Sequence, residues 1–363
     1  MHLPRAREPA LPSHPPSPVH RVARGLLPRL GAGEPARGRR PALWATAAVV
    51  LAAGCAPAGP RGWECFAPAN AGGGWDLTCR TAARALEDLG LSPGPVRTTN
   101  LPGAGGGVAM ARAITRRADD PGLIVAASTG TTLRLAQEQY GRMRTDDVRW
   151  IGALAAEYGI VAVAADAPWR DLRSLLGDWA ADPDGIVASG GSAVAGQDHM
   201  KLLLLARAAG MDPLRIRYIP FDGGGEAQTA LLGGFVQVFS GEASEVEGQV
   251  AAGNLRILAV LAPRRLDGAL ASVPTAREQG YAVDWITWRG FFIPREVADS
   301  VADRWVSVLD SVGRSDRWVE ERARYRLRPF HLVGAEFESF VQAQVAEFRA
   351  LSQDLGLLPP DER

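Results

Sequence analysis

Four times along this chain a short apolar run breaks into glycines and resumes with a helical period. No other feature constrains the fold as much. The first instance is Trp63 to Ala67, followed by Pro68-Ala69-Asn70-Ala71-Gly72-Gly73-Gly74-Trp75-Asp76. The second runs Val96 to Thr99 into Asn100-Leu101-Pro102-Gly103-Ala104-Gly105-Gly106-Gly107, and the third Ile186 to Ala188 into Ser189-Gly190-Gly191-Ser192. The fourth runs Arg217 to Ile219 into Pro220-Phe221-Asp222-Gly223-Gly224-Gly225. Glycine lets the backbone turn tightly and leaves its N–H groups open to an approaching group. A helix start adds unpaired donors and the positive end of a dipole. Each unit therefore predicts a loop able to hold an anion.

Further strands are expected at Leu123 to Ala127, Trp150 to Leu154, Gly159 to Ala164, Phe235 to Phe239 and Ile257 to Leu261. The first of these leads through Ser128-Thr129-Gly130-Thr131-Thr132 into a helix beginning near Thr131. From Ala298 the pattern is mostly helical, with a long amphipathic stretch from Glu336 to Leu351. Strands alternating with helices predict an α/β chain with parallel sheets, in which ligands bind beyond the carboxyl ends of strands. All the glycine-rich loops sit at such ends.

A chain of 363 residues, 47% hydrophobic, suffices for two ordinary domains or one large one. Its zero formal charge has two unlike parts. Residues 1–55 hold eight arginines against Glu8 and Glu34, so the remainder is net negative by six. A mildly acidic body argues against nucleic-acid binding. Lys201 is the sole lysine, which excludes a P-loop and disfavours a Schiff-base enzyme. Beyond the N-terminal region only His199 and His331 remain, which disfavours a histidine-rich metal site, and no cofactor or metal is expected.

Residues 1–40 are rich in Pro, Arg, Gly and Ala without a sustained period and read as an N-terminal extension. Arg37-Gly38-Arg39-Arg40, the apolar run to Leu51 and Ala52-Ala53-Gly54-Cys55 then make an export signal. The ending resembles a lipobox, in which Cys55 is lipidated, with Leu51 one place earlier than the commonest pattern; simple cleavage is the alternative. The expected location is the periplasm, free or membrane-anchored. In an exported protein the remaining pair, Cys65 and Cys79, reads either as a disulfide stapling the first strand to the first helix or as two buried thiols.

Each candidate residue also has a plainer role. Asp76 either caps its helix or touches ligand, with capping the commoner use. Ser128 and Thr129 either meet ligand or cap the next helix. His199 is a structural histidine or a pH-sensitive ligand contact. Trp75 closes over ligand or packs against neighbouring protein. Gly103-x-Gly105-x-Gly107 fails the dinucleotide spacing because Val108 takes the third glycine's place. Gly190-Gly191-Ser192-Ala193-Val194 misses the nucleophile-elbow pattern at its last residue, which leaves a hydrolase the weakest alternative.

The order of these motifs, with Ala230-Leu231-Leu232-Gly233-Gly234 and Val273-Pro274-Thr275, resembles the substrate-binding proteins of tripartite tricarboxylate transporters, the TctC or Bug receptors. The similarity runs from about Trp63 to the C-terminus. It implies a two-lobed periplasmic-binding-protein (Venus-flytrap) fold, each lobe a mixed sheet flanked by helices, with lobes at 62–162 plus 286–363 and at 163–285. It implies a non-enzymatic monomeric receptor for a di- or tricarboxylate, serving a membrane permease; a receptor feeding a signalling kinase is the alternative. The implied ligand-binding residues are Ala71, Gly72, Gly73, Trp75 and Asp76 in the first loop, and Gly103, Ala104 and Gly105 in the second. Ser128 and Thr129 follow the third strand. On the other lobe stand Ser189, Ser192 and His199, and then Phe221, Asp222 and Gly223. Many relatives carry a Tyr-Lys-Gly type sequence at the fourth loop. Here Pro-Phe-Asp-Gly-Gly removes that cation, so either the ligand is less charged or an arginine such as Arg134 or Arg289 compensates.

Overall fold

The structure is a computed structural model that describes residues 62–221 and 223–359. The export signal, Cys55 and Asp222 lie outside the described residues. The chain opens with strand β1 (Glu64–Ala67), helix α1 (Gly74–Asp88), β2 (Arg97–Asn100), α2 (Gly107–Arg116), β3 (Leu123–Ser128) and α3 (Thr129–Ala136). Strand β1 lies parallel between β2 and β3. Beyond β3 the sheet stops being parallel. Strand β4 (Val148–Ala164) and strand β9 (Ile286–Pro294) pair antiparallel with each other, and β9 pairs antiparallel with β3.

Strand β4 is a single element of 17 residues where two strands separated at Ala155 to Tyr158 were expected. The expected break falls on Glu157, a buried acid inside a strand. It is tolerated because Arg289 of β9 pairs with it. Up to Tyr158 the partners of β4 are β9 and, against Gly152 to Ala156, β10 (Arg328–Val333); from Gly159 they are β7 (Val238–Glu242) and β8 (Leu255–Leu261). Glycine is required at Gly159 because a Cβ there would lie 2.9 Å from the Lys201 side chain.

The second half-sheet adds β5 (Val187–Gly190) and β6 (Arg217–Pro220), parallel to one another, with β5 also parallel to β7. Its helices are α4 (Leu172–Ala181), α5 (Gln197–Ala208), α6 (Gly224–Leu232) and α7 (Ala243–Ala251). After β9 the chain returns to the first half with α8 (Asp299–Arg314), α9 (Asp316–Arg324), the unexpected strand β10 (Arg328–Val333) and α10 (Gly334–Asp354). The strand expected from Phe235 begins only at Val238, and Phe235 itself is 80% exposed.

Two apolar cores flank the first half-sheet, one around Trp63, Leu86, Phe291 and Trp305, the other around Phe66, Trp150, Trp288 and Phe337. A third, around Trp179, Leu202 and Leu258, also takes in Leu133 of α3 and Phe348 of α10. The end of α10 thus packs on the second half, with the Phe348 ring stacked on Trp285. Among the described residues no helix is long and apolar enough to cross a membrane.

Candidate functional site

The loop after β1 is held at both ends. Cys65 and Cys79 form a disulfide, Cα atoms 5.7 Å apart, tying β1 to α1. Asp76 does not cap the helix. The N-cap is Gly73 in extended geometry, because the glycines let the helix begin two residues before Asp76. From inside the first turn Asp76 Oδ2 accepts from the Gly72 N–H at 2.9 Å and from Arg80, and Oδ1 accepts from Asn100 at 2.9 Å. It is buried, and although burial alone would raise its pKa, the bonds from Arg80, Gly72 and Asn100 lower it. Both oxygens are therefore engaged within the protein. Ala71 and Gly72 are exposed at the loop tip, and the Gly73 N–H donates back to Asn70 O.

The second loop needs its left-handed residues. Gly103, Ala104 and Gly105 have φ of 126°, 49° and 59°, and all three are exposed. Tyr140 donates to Gly105 O at 2.5 Å, and a Cβ on Gly106 would come within 3.4 Å of the Trp75 ring. Trp75 in turn donates from Nε1 to Ser128 Oγ at 3.1 Å. Ser128 is the N-cap of α3, which starts at Thr129 rather than near Thr131, and its Oγ accepts from the Gly130 N–H. Thr129 turns to β9, donating to Ile286 O and accepting from the Trp288 N–H. The first turns of α1, α2 and α3 thus gather at one edge of the first half-sheet.

On the second half the same construction recurs. Ser189 is fully buried with its hydroxyl toward Ala227 O and Val238 O, inside the sheet rather than at its edge. Ser192 Oγ accepts from the Asp198 N–H at 3.0 Å and so anchors the start of α5. Phe221 packs on the core beneath the fourth loop, and Gly223 is the N-cap of α6 with φ 145°. A Cβ on Gly191 would lie 2.4 Å from the Gly224 N, so the third and fourth loops touch. His199 is buried. Its Nδ1 accepts from the Ala195 N–H at 3.0 Å, which leaves the ring proton on an Nε2 without a partner. The ring stacks on Tyr218 at 4.6 Å, and burial pushes its pKa down to about 4.

Between the halves lies a charge network that sequence reasoning found only in part. Arg289 pairs with Glu157, whose other oxygen accepts from Ser244, and a Cβ on Gly74 would collide with the Arg289 guanidinium. Lys201 Nζ donates to Asp198 at 3.0 Å, Glu242 at 2.8 Å and Gly241 O. Burial opposes its charge, but Glu242 and Asp198 outweigh that and hold it protonated. Glu242 also accepts from Thr287 of β9. The available signal was Lys201 itself: a sole lysine beside a leucine run must find buried acids. The seam closes where a Cβ on Gly130 would lie 3.3 Å from Gln197 Oε1. A groove of about 610 Å³ lies elsewhere, lined by Leu135, Met143 and Arg349 among others, and the four loops take no part in it.

Ser192, the hydroxyl the sequence offered as a nucleophile, is bonded to the Asp198 N–H at the start of α5 within this constellation. Its chemistry is that of holding: helix-start donors, a guanidinium and hydroxyls around a seam.

Comparison with known proteins agrees. Residues 80–357 match the tripartite tricarboxylate transporter family receptor. A UPF0065 protein of Bordetella pertussis is 25% identical over 320 residues, covering 87% of this chain and 97% of that protein. Among solved structures, MatC of Rhodopseudomonas palustris with bound malate has a TM-score of 0.68 at 20% identity, over 80% of this chain and 98% of that one. Another R. palustris protein, solved with adipate, has a TM-score of 0.71 at 19% identity, over 83% of this chain and 99% of that one. These structures share the periplasmic-binding-protein fold, mixed sheets flanked by helices. The chain belongs to the tripartite tricarboxylate transporter receptors, which are solute-binding proteins and not enzymes.

Proposed function

We propose that this receptor works in the periplasm, binds an organic carboxylate in the seam between its half-sheets, and delivers it to a membrane permease. The supporting observation is the meeting of helix starts from both halves, Trp75 on Ser128 from one side and Gly130 against Gln197 across the seam. The positive end of the helix dipole at a helix start favours carboxylates, and desolvation strengthens each such interaction. Malate and adipate, the molecules solved with the two R. palustris proteins, are both carboxylates.

Binding then proceeds by closure of two lobes, 62–162 with 286–363 against 163–285, flexing where the chain crosses between them, within β4 and just before β9. The ligand stabilises the closed form by touching both walls. Isothermal titration of the purified chain against a panel of mono-, di- and tricarboxylates tests this. Saturable heat with at least one acid is expected, and silence across the whole panel refutes it. Gly105→Val, at a left-handed position, is expected to abolish binding in a folded protein; unchanged affinity removes that loop from the site.

A further inference from the structure

Arg134 is a cation with no acid to answer it. It is nine-tenths buried in the last turn of α3, and its hydrogen bond goes to the neutral amide of Gln139. The groups acting on it electrostatically are the phenols of Tyr140 and Tyr218, and among the described residues no carboxylate pairs with it. Its neighbours across the loops are already committed, Arg289 to Glu157 and Arg80 to Asp76. A Cβ on Gly105 would lie 3.3 Å from Arg134 Nε, so the side chain passes beside the glycine loop that opens α2. A buried charge without a counter-ion is costly, and burial lowers this guanidinium's pKa from its ordinary value. A bound anion completes the arrangement.

The other wall has the reverse polarity. Glu242 and Asp198 share one lysine, so that group carries more acid than base. Glu242 Oε2 is buried without a partner, and so is the side-chain oxygen of Gln197. Glu245 is exposed as a residue but turns its carboxyl back against Gly224 and Gly241. Burial of that carboxyl, with the Asp198 and Glu242 charges, pushes it up to about 8. Glu242 Oε2 and Gln197 Oε1 are thus acceptors lacking donors, beside a carboxyl whose burial already disfavours further negative charge.

We propose that the ligand is a monocarboxylate whose carboxylate pairs with Arg134 beside the Gly103–Gly107 loop and whose far end offers a hydrogen-bond donor, a hydroxyl or an ammonium, to Gln197 and Glu242. This rests on the carboxylate-receptor reading and narrows the di- or tricarboxylate class implied by resemblance. A second carboxylate would meet unpaired acceptors instead of donors.

The test is isothermal titration of the purified full chain with two matched series. One is butyrate, 4-hydroxybutyrate, 4-aminobutyrate and succinate; the other is hexanoate, 6-hydroxyhexanoate, 6-aminohexanoate and adipate. A donor-ended acid is expected to bind about tenfold or more tighter than both the plain acid and the dicarboxylate of its length. Arg134→Gln is expected to weaken it by a similar factor without lowering the melting temperature, and Arg134→Lys to recover part of the loss. A dicarboxylate or plain acid binding as tightly as its donor-ended analogue overturns the proposal, as does unchanged affinity in Arg134→Gln; both leave the receptor reading standing. No binding by any member of either series overturns the proposal, while the receptor reading falls only with silence across the wider panel of mono-, di- and tricarboxylates.

Discussion

His199 makes stability depend on pH in a calculable way. In the unfolded chain an imidazole takes its proton near pH 6.5, whereas in the folded protein burial holds the transition down to about 4. Between those values the unfolded state binds a proton that the folded state refuses, so stability is lost as pH falls from 6.5 toward 4 and is fully present above. The gap of two and a half pH units is worth about 3 kcal/mol at 1.36 kcal/mol per unit. Other carboxylates titrate in the same range, so the quantity to measure is a difference. His199→Asn keeps an acceptor for the Ala195 N–H but cannot titrate. Urea unfolding of both proteins from pH 7.5 to 4 should show the parent losing about 3 kcal/mol relative to the variant. An NMR titration of the imidazole supplies the pKa directly. Parallel stability curves, or an imidazole titrating between 6 and 7, would refute the reasoning.

Three further outcomes follow from the packing. Replacing both cysteines by alanine opens the loop closed by Cys65 and Cys79 and should cost about 3 kcal/mol in urea unfolding; an unchanged midpoint counts against the staple. Gly159→Val pushes a side chain onto Lys201 and should cost about 1–3 kcal/mol, read as a lowered melting temperature. Lys201→Met strands Asp198 and Glu242 and should cost about 3–5 kcal/mol near pH 7, with the deficit shrinking in acid as the carboxylates take protons; a deficit independent of pH argues against stranded charge.

What the sequence made legible was local. The runs before Pro68, Leu101 and Ser192 carry their own strand, turn and helix signals, and the structure places those loops at strand ends within a few residues of expectation. Long-range pairing stayed hidden. Glu157 interrupts an apolar run and reads as a strand break until Arg289, 132 residues later, neutralises it. Strand β9 carries that arginine together with Trp288 and Gly290, so its short segment shows no clean period. In the site, glycines announced the loops. Glu242 and Glu245 had no local mark, since their buried surroundings come from α5, β4 and β9. The cap expected at Asp76 lies three residues earlier, at Gly73, because glycine permits a helix start that no side chain signals.

The position of β9 also bears on how the chain is made. It fills the gap between β3 and β4, so the sheet begun by the earliest described strands stays unfinished until residues 286–294 have been synthesised. Until then Val125 to Ser128 present an open, apolar edge of the kind that recruits foreign strands. A nascent chain shorter than this is thus an aggregation hazard, and holding it unfolded until release suits its topology. Although its first strand lies near the start of the described chain, the first half-sheet is completed later than the second.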